Sequence, residues 1–307
     1  MHKFNKYSKF LILLCISISL FRCASTILKA SIYFERGKGD VEIKKVSINK
    51  FEIVYSETGK GVPILLLHGF GGDKDNWTRM APYLYRQYRL IAPDLPGFGE
   101  SSRLGDENYA VSLQIERVKE FKEKVGLGKV HIVGNSMGGA IAAAYTLKYP
   151  DDILTLTLID SAGVTSPTKS ELTLELEKGN NPLLVKDAAD FDRLMSFNFH
   201  KKPYIPDSIK EYFAERAVKN RKFNEKIFSD IRGEPNQVEP NLAKLKAPTL
   251  ILWGDRDRVI HPDSARVFNK GITDSKLILF KDCGHIPQLE RPRDTATAIQ
   301  DFIKDHP

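Results

Sequence analysis

The sequence predicts an α/β fold: a mostly parallel central sheet flanked by helices, into which a helical cap is inserted. Strand-like runs and helix-like stretches alternate with short connections from Pro63 to Ile159, a pattern typical of a parallel sheet wrapped by helices. The alternation stops in residues 166–242, where prolines separate helix-length segments without a strand-like run. Because a structureless loop of this length is implausible inside a compact domain, we predict a cap over 166–242 and a core over 23–165 and 243–307.

The N-terminus has the features of a targeting segment. Lysines at positions 3, 6 and 9 precede an apolar run from Phe10 to Phe21, which is too short to span a bilayer and typical of a signal-peptide core. We therefore predict a signal peptide over residues 1–22 and an exported protein, either membrane-anchored or periplasmic. The stretch Leu20-Phe21-Arg22-Cys23 resembles the bacterial lipobox, in which the cysteine becomes lipidated. Arg22 departs from that pattern, so cleavage near Ala24 or an uncleaved anchor stays open.

Charge and cysteine content exclude several classes of function. The formal net charge is +7, but residues 1–22 carry four basic and no acidic side chains, which leaves 42 basic against 39 acidic ones. This small excess, without a basic stripe interleaved with aromatics, does not predict nucleic-acid binding. Only Cys283 would remain beside the leader and Cys23, so we predict no internal disulfide. Neither paired cysteines nor a His-Glu-x-x-His helix occurs, and we predict no metal site.

The elements before residue 130 are predicted from local pattern. Val41 to Ser47 and Phe51 to Ser56 are strand-like and form a hairpin, and the continuously apolar run Pro63 to Leu67 is expected in a strand covered on both faces. A helical stretch from Trp77 to about Tyr85, a strand from Arg89 to Ala92 and an amphipathic helix from Val111 to Val125 follow.

The stretch Val130 to Gly139 carries the strongest sign of chemistry. Apolar residues of strand type run into Gly134-Asn135-Ser136-Met137-Gly138, and a small-residue helix pattern follows at once. A serine at such a strand-to-helix turn is held in a strained backbone with its hydroxyl exposed, and the two glycines prevent collision as helix and strand close up. Ser136 is therefore predicted to be a nucleophile.

The remaining elements follow the same reasoning. Strands are predicted at Thr155 to Ile159, Thr249 to Trp253 and Lys276 to Phe280, and a last helix at about Thr295 to Lys304. Cap helices are predicted at Leu172 to Lys178, Val185 to Phe197, Ser208 to Val218 and Phe223 to Ile231.

A hydrolytic serine needs a base and an acid, which should follow later strands in the order Ser, Asp, His. His285 follows the last predicted strand and is the expected base. Three carboxylates compete as the acid: Asp255 and Asp257 after the strand that ends at Trp253, and Asp160 after the preceding strand. Motif analogy favours Asp257, with Asp255 second and Asp160 third.

Donors for an oxyanion are expected from two backbone segments. One is the N–H of Met137 beside the nucleophile, and the other is the loop His68-Gly69-Phe70-Gly71-Gly72, in which Phe70 is the natural donor. The spacing of these glycines fits neither the dinucleotide fingerprint nor the P-loop, so nucleotide binding is not predicted.

Taken together, these motifs resemble the α/β-hydrolase superfamily over nearly the whole chain after the leader. The resemblance rests on His68-Gly69, on Asp94-Leu95-Pro96-Gly97-Phe98-Gly99-Glu100-Ser101, on Gly134 to Gly139, on Trp253-Gly254-Asp255-Arg256-Asp257 and on Gly284-His285. The stretch His68 to Trp77 together with Gly134 to Gly139 looks like the bacterial family V lipases and the monoacylglycerol lipases.

That resemblance implies an α/β-hydrolase fold, with Ser136 as nucleophile, Asp257 as acid, His285 as base, Phe70 and Met137 as oxyanion donors, and residues 166–242 as a lid. It further implies a lipid or small-molecule ester substrate and no cofactor. Two alternatives stay open: hydrolysis of a carbon–carbon bond in a vinylogous diketone, and a lipoprotein that uses a hydrolase fold only to bind a partner.

Overall fold

The computed structural model describes residues 26, 28 and 30–306. The predicted signal peptide and Cys23 lie outside the described residues. Eight strands form one sheet in the order β1-β2-β4-β3-β5-β6-β7-β8. They are β1 (Glu42–Ile48), β2 (Phe51–Thr58), β3 (Val62–Leu67), β4 (Tyr88–Pro93), β5 (Val130–Asn135), β6 (Ile153–Ile159), β7 (Thr249–Gly254) and β8 (Ser275–Phe280).

Only the edge of this sheet is antiparallel. The hairpin β1–β2 pairs antiparallel, and β2 pairs antiparallel with β4, whereas β4, β3, β5, β6, β7 and β8 run parallel to one another. The helices are α1 (residues 30–38), α2 (Val111–Lys124), α3 (Met137–Lys148), α4 (Glu171–Glu177), α5 (Ala188–Asn198), α6 (Asp207–Arg232), α7 (Asp263–Gly271), α8 (Pro287–Glu290) and α9 (Pro292–Asp305). Of these, α2, α3 and α7 cover one face of the sheet and α9 covers the other. The predicted α/β fold class is confirmed.

The two faces of the sheet have separate cores. Side chains alternate along a strand, so Leu65 packs into the core that α2, α3 and α7 cover, and Ile64 into the core that α9 covers. This double burial is why the central strands are apolar at consecutive positions. Within the described residues, no helix is both long enough and apolar enough to span a membrane.

Two helix predictions were wrong in detail. Residues 77–85 form no α-helix; two 3₁₀ turns, Lys74–Trp77 and Ala81–Tyr83, flank a short connection. Pro82 explains the break, because proline has no amide hydrogen and its ring clashes with the preceding turn. In the cap segment, the two helices predicted at 208–218 and 223–231 are one continuous helix, α6, of 26 residues. No glycine or proline lies between Asp207 and Arg232, so nothing in the backbone chemistry interrupts it.

The helices α4, α5 and α6 lie between β6 and β7 in the chain, within the segment predicted as a cap. They contribute to two small apolar clusters: in one, Leu172 and Phe197 pack with Val259 from the segment after β7, and the other contains Val185, Phe191 and Ala214.

Candidate active site

Ser136 lies at the junction of β5 and α3 in a strained backbone conformation. Its φ of 55° and ψ of −119° fall where residues with a side chain are rarely found. The surrounding backbone holds this geometry: the N–H of Ser136 donates to Ile159 O at 3.0 Å, and its carbonyl accepts from Gly139, Ala140 and Ala162. Strain of this kind costs about 1–3 kcal/mol and is typical of functional turns.

Gly134 and Gly138 allow β5 and α3 to meet at this turn. A Cβ on Gly134 would lie 2.2 Å from the carbonyl oxygen of Gly138, and a Cβ on Gly138 would lie 2.2 Å from that of Leu67. No side chain fits at either distance, since both obstacles are backbone atoms. The two glycines are thus required by close approach, as predicted from the motif.

Asn135 connects the turn to two other segments, a role that sequence reasoning missed. Its side chain is buried, and Nδ2 donates to the carbonyls of Ile159 and His285, both at 3.1 Å. These bonds tie the serine turn to the end of β6 and to the loop that carries the histidine. Nothing in the sequence signals this, because both acceptors are distant backbone atoms.

The loop predicted to supply an oxyanion donor passes directly against Ser136. A Cβ on Gly69 would lie 3.1 Å from the Cβ of Ser136, so the Phe70 peptide begins beside the serine. Met137 is the first residue of α3, and amides in the first turn of a helix have no intrahelical acceptor. The two predicted donors therefore flank Ser136.

His68 anchors this loop from behind. The sequence assigned no role to its side chain, which is fully buried. Its Nε2 accepts the N–H of Leu95 at 3.0 Å, so Nδ1 carries the proton and donates to Gly69 O at 2.8 Å. Burial lowers the pKa of His68, which keeps the ring neutral in this tautomer.

A buried ion pair fixes the two loops that follow β3 and β4. Asp94 Oδ1 accepts the N–H of Lys74 at 2.7 Å, and Oδ2 accepts Lys74 Nζ at 3.2 Å and the N–H of Glu100 at 2.7 Å. Burial by itself would lower the pKa of Lys74, but the charge of Asp94 and the hydrogen bond that Lys74 donates to Glu100 outweigh it and raise the pKa. This explains why Asp94 directly follows β4: it binds both loops to the sheet.

His285 and Asp257 form a hydrogen-bonded pair. His285 Nδ1 lies 2.8 Å from Asp257 Oδ2, and both residues are at most 5% exposed. The other oxygen, Asp257 Oδ1, accepts the N–H of Val259 at 2.7 Å and of Ile260 at 3.0 Å. These donors fix the orientation of the carboxyl group.

The other two candidate acids have different surroundings. Asp255 is partly exposed; its Oδ1 accepts the N–H of Cys283 at 3.4 Å and lies 3.8 Å from Arg256 Nε. Asp160 is fully buried at the end of β6, and its Oδ1 accepts the N–H of Gly254 at 2.9 Å. The structure therefore brings Asp257, and not Asp255, to the imidazole.

One group of described residues has the composition of a metal site. Asp160, Asp257 and His285 each offer an oxygen or nitrogen within 4.8 Å of the others. However, the Nδ1 of His285 is already 2.8 Å from Asp257, the distance of a hydrogen bond. We interpret the group as a hydrogen-bonded pair with a third carboxyl beside it.

Residues of the cap segment reach both sides of this site. The ring of Phe70 packs edge-on against Phe228 of α6 at 5.7 Å. At the end of α5, the carbonyl of Asn198 accepts the N–H of His285 at 2.8 Å. The cap segment thus contacts the candidate oxyanion loop and the histidine loop.

Comparison with known proteins agrees with this architecture. The family described as the alpha/beta hydrolase fold matches residues 62–292. Lipase 1 of Psychrobacter immobilis is 42% identical over 280 residues, covering 88% of this chain and 87% of the relative. Monoacylglycerol lipase abhd6-A of Xenopus laevis is 32% identical, covering 88% and 84%.

Among solved structures, a membrane phospholipase A described as a bacterial virulence factor is 41% identical and superposes with a TM-score of 0.91, covering 97% of both chains. The matched residues include strands β3 to β8, the serine turn and the histidine loop. The chain belongs to the α/β-hydrolase fold family.

Proposed function

We propose that the protein is a serine hydrolase that cleaves carboxylic esters of lipid type. The observation that carries this proposal is the convergence on one sheet edge of a strained Ser136, a loop pressed against it at Gly69, and the His285–Asp257 pair. Such an arrangement is what acyl transfer through a serine requires.

In the proposed mechanism, His285 removes the proton of Ser136 as the hydroxyl attacks the ester carbonyl. Asp257 keeps the proton of the resting imidazole on Nδ1 and stabilises the imidazolium. The N–H groups of Phe70 and Met137 bind the oxyanion. His285 then protonates the leaving alcohol, and water activated by the same ring releases the acid. Apart from the attacking water, these steps use side chains and amides of the chain.

The lipid character of the substrate is supported by the relatives. Proteins 42% and 32% identical to this chain are named as a lipase and a monoacylglycerol lipase. The contact between Phe70 and Phe228 supports a lid role for residues 166–242, because an apolar ring next to the oxyanion loop suits an acyl chain. We infer that this segment governs which esters enter.

We further propose that the protein is exported and held at a membrane by its N-terminus. The basic residues followed by an apolar run in residues 1–22 support export, and Cys23 is the candidate lipidation site. Labelling cells with a fatty-acid analogue would test this. Loss of the label in Cys23→Ser supports lipidation, whereas label on both proteins or on neither contradicts it.

The catalytic proposal is tested with full-length protein in detergent. Wild type should react with a fluorophosphonate and hydrolyse p-nitrophenyl esters, and Ser136→Ala should do neither. Ser208→Ala, an exposed serine on α6, serves as the matched control and should behave as wild type. Equal labelling of wild type and Ser136→Ala, or none at all, would favour a binding protein instead.

A chain-length series then tests the substrate class. We expect activity to extend from p-nitrophenyl esters to emulsified monoacylglycerol or triacylglycerol. A maximum at acetyl or butyryl esters without activity on lipid would reduce the proposal to a small-ester hydrolase. Turnover of a vinylogous diketone without turnover of esters would favour carbon–carbon bond hydrolysis.

A further inference from the structure

Asp160 is a buried carboxyl that the proposed mechanism does not use. It follows β6 directly, with a φ of 43° and no exposed surface. Its Oδ1 accepts the N–H of Gly254 at 2.9 Å. The second oxygen, Oδ2, is buried and has no hydrogen-bond partner among the described residues. A buried ionised oxygen without a donor is costly, so this atom needs an explanation.

The surroundings of Asp160 are already negative. A carboxyl oxygen of Asp160 lies within 4.8 Å of Asp257 and of His285. The negative charge of Glu290 also raises the pKa of Asp160, and Asp160 in turn raises the pKa of the Cys283 thiol. Two buried carboxylates this close to each other disfavour being charged at the same time, so one of the two is expected to hold a proton.

The hydrogen bonds indicate which of the two carboxyls, Asp160 or Asp257, holds the proton. Asp257 receives two backbone N–H groups on Oδ1 and the imidazole N–H on Oδ2, whereas Asp160 receives a single N–H. Donors stabilise the charged form of a carboxyl. Burial, together with the charge of Asp257, raises the pKa of Asp160 well above its usual range.

We propose that Asp160 is a positioning residue that keeps its proton in the resting enzyme and directs it from Oδ2 toward the Asp257 carboxylate. The hydroxyl thereby obtains an acceptor, and Asp257 a further donor that holds it against His285. The buried group then carries one negative charge instead of two. The effect of Asp160 on catalysis rests on the proposed function, whereas the protonation state of Asp160 does not depend on it.

Infrared spectroscopy tests the protonation state without reference to activity. At pH 8, where ordinary carboxyls are ionised, wild type should show the carbonyl stretch of a protonated carboxylic acid, and Asp160→Asn should lack it. Asp282→Asn is the matched control, because Asp282 also follows a strand with a positive φ of 52° but is partly exposed; its spectrum should keep the band. Absence of the band from wild type, or its persistence in Asp160→Asn, would overturn the proposal.

Kinetics test the positioning role. Asp160→Ala should lower kcat about 10- to 100-fold, the ratio for losing one hydrogen bond to a charged group, with little change in KM. Asp160→Asn should recover most of that loss, because its amide also donates from the Oδ2 position. Equal losses in the two variants would contradict the role.

The acidic limb of the pH profile of kcat/KM provides a second kinetic readout. It should stay in place in Asp160→Asn, since a neutral group replaces a neutral group. If Asp160 were ionised instead, removing a charge within 4.8 Å of His285 would move that limb down by about 2 pH units at an effective dielectric constant of ~20. Such a displacement would refute the proposal. Should Asp160→Ala fail to fold, Asp160→Asn carries this test and the infrared test alone.

Discussion

Replacing Asp257 by asparagine is expected to lower kcat/KM by about four orders of magnitude. The carboxylate is buried and lies 2.8 Å from Nδ1 of His285. At an effective dielectric constant of ~20, a carboxylate stabilises an imidazolium at that distance by about 6 kcal/mol, and each ~1.4 kcal/mol corresponds to a tenfold change in rate. The amide would also face Nδ1 with a donor and favour the wrong tautomer.

The fold of this variant should survive. The two N–H groups of Val259 and Ile260 that bind Asp257 Oδ1 can bind the amide oxygen of asparagine equally. Thermal unfolding of Asp257→Asn should therefore show a cooperative transition near that of wild type. The loss of kcat/KM can then be assigned to the His285–Asp257 pair and not to a loss of folded protein.

Asp255→Asn is the matched control for this measurement. Asp255 is two residues away on the same turn but partly exposed, and it bonds the Cys283 N–H at a marginal 3.4 Å. We expect its kcat/KM on p-nitrophenyl butyrate to stay within about threefold of wild type, as for most exposed substitutions. If Asp255→Asn loses several orders of magnitude and Asp257→Asn does not, the assignment of the acid is wrong.

Three further predictions concern stability. Asn135→Ala removes the side-chain donor of the His285 carbonyl and one of the two donors of the Ile159 carbonyl, which keeps the N–H of Ser136, and should lower the free energy of unfolding by about 1–3 kcal/mol; an unchanged urea midpoint would contradict this. Gly138→Ala should destabilise by about 3 kcal/mol or more because its Cβ meets Leu67 O at 2.2 Å, whereas Gly128→Ala, with open space around it, should change the melting temperature little. Burial lowers the pKa of His131 to about 4, so between pH 6.5 and 4 the unfolded chain binds a proton that the folded chain excludes. Stability should fall by about 2–3 kcal/mol over that range, and His131→Gln should flatten the corresponding part of a pH series of urea midpoints.

Local pattern was sufficient for most of the fold. The continuous apolar runs around Ile64 and Ile132 are typical of strands buried on both faces, and the structure has them in a parallel sheet. Predictions failed where a single residue competes with a periodic pattern. Pro82 interrupts the stretch predicted as a helix. In α6, no glycine or proline separates the two segments that were predicted as distinct helices.

The residues of the candidate site differ in the same way in how well the sequence predicts them. Gly134, Ser136 and Gly138 were predicted from spacing because the turn that they form is local. His68 and Asn135 were assigned no role, because their partners are backbone atoms far along the chain. Such contacts leave no periodic trace in the sequence.

The sequence by itself determined the alternation of strands and helices, the serine turn, and the order in which Ser136, the candidate carboxylates and His285 follow the strands. These are properties of neighbouring residues and of short-range backbone sterics. Only the tertiary structure decided which carboxylate contacts His285, since Asp255 and Asp257 differ by two positions in the chain but one is partly exposed and the other buried. It also placed Asp160 beside that pair, where the loss of solvent and the charge of Asp257 together change its chemistry.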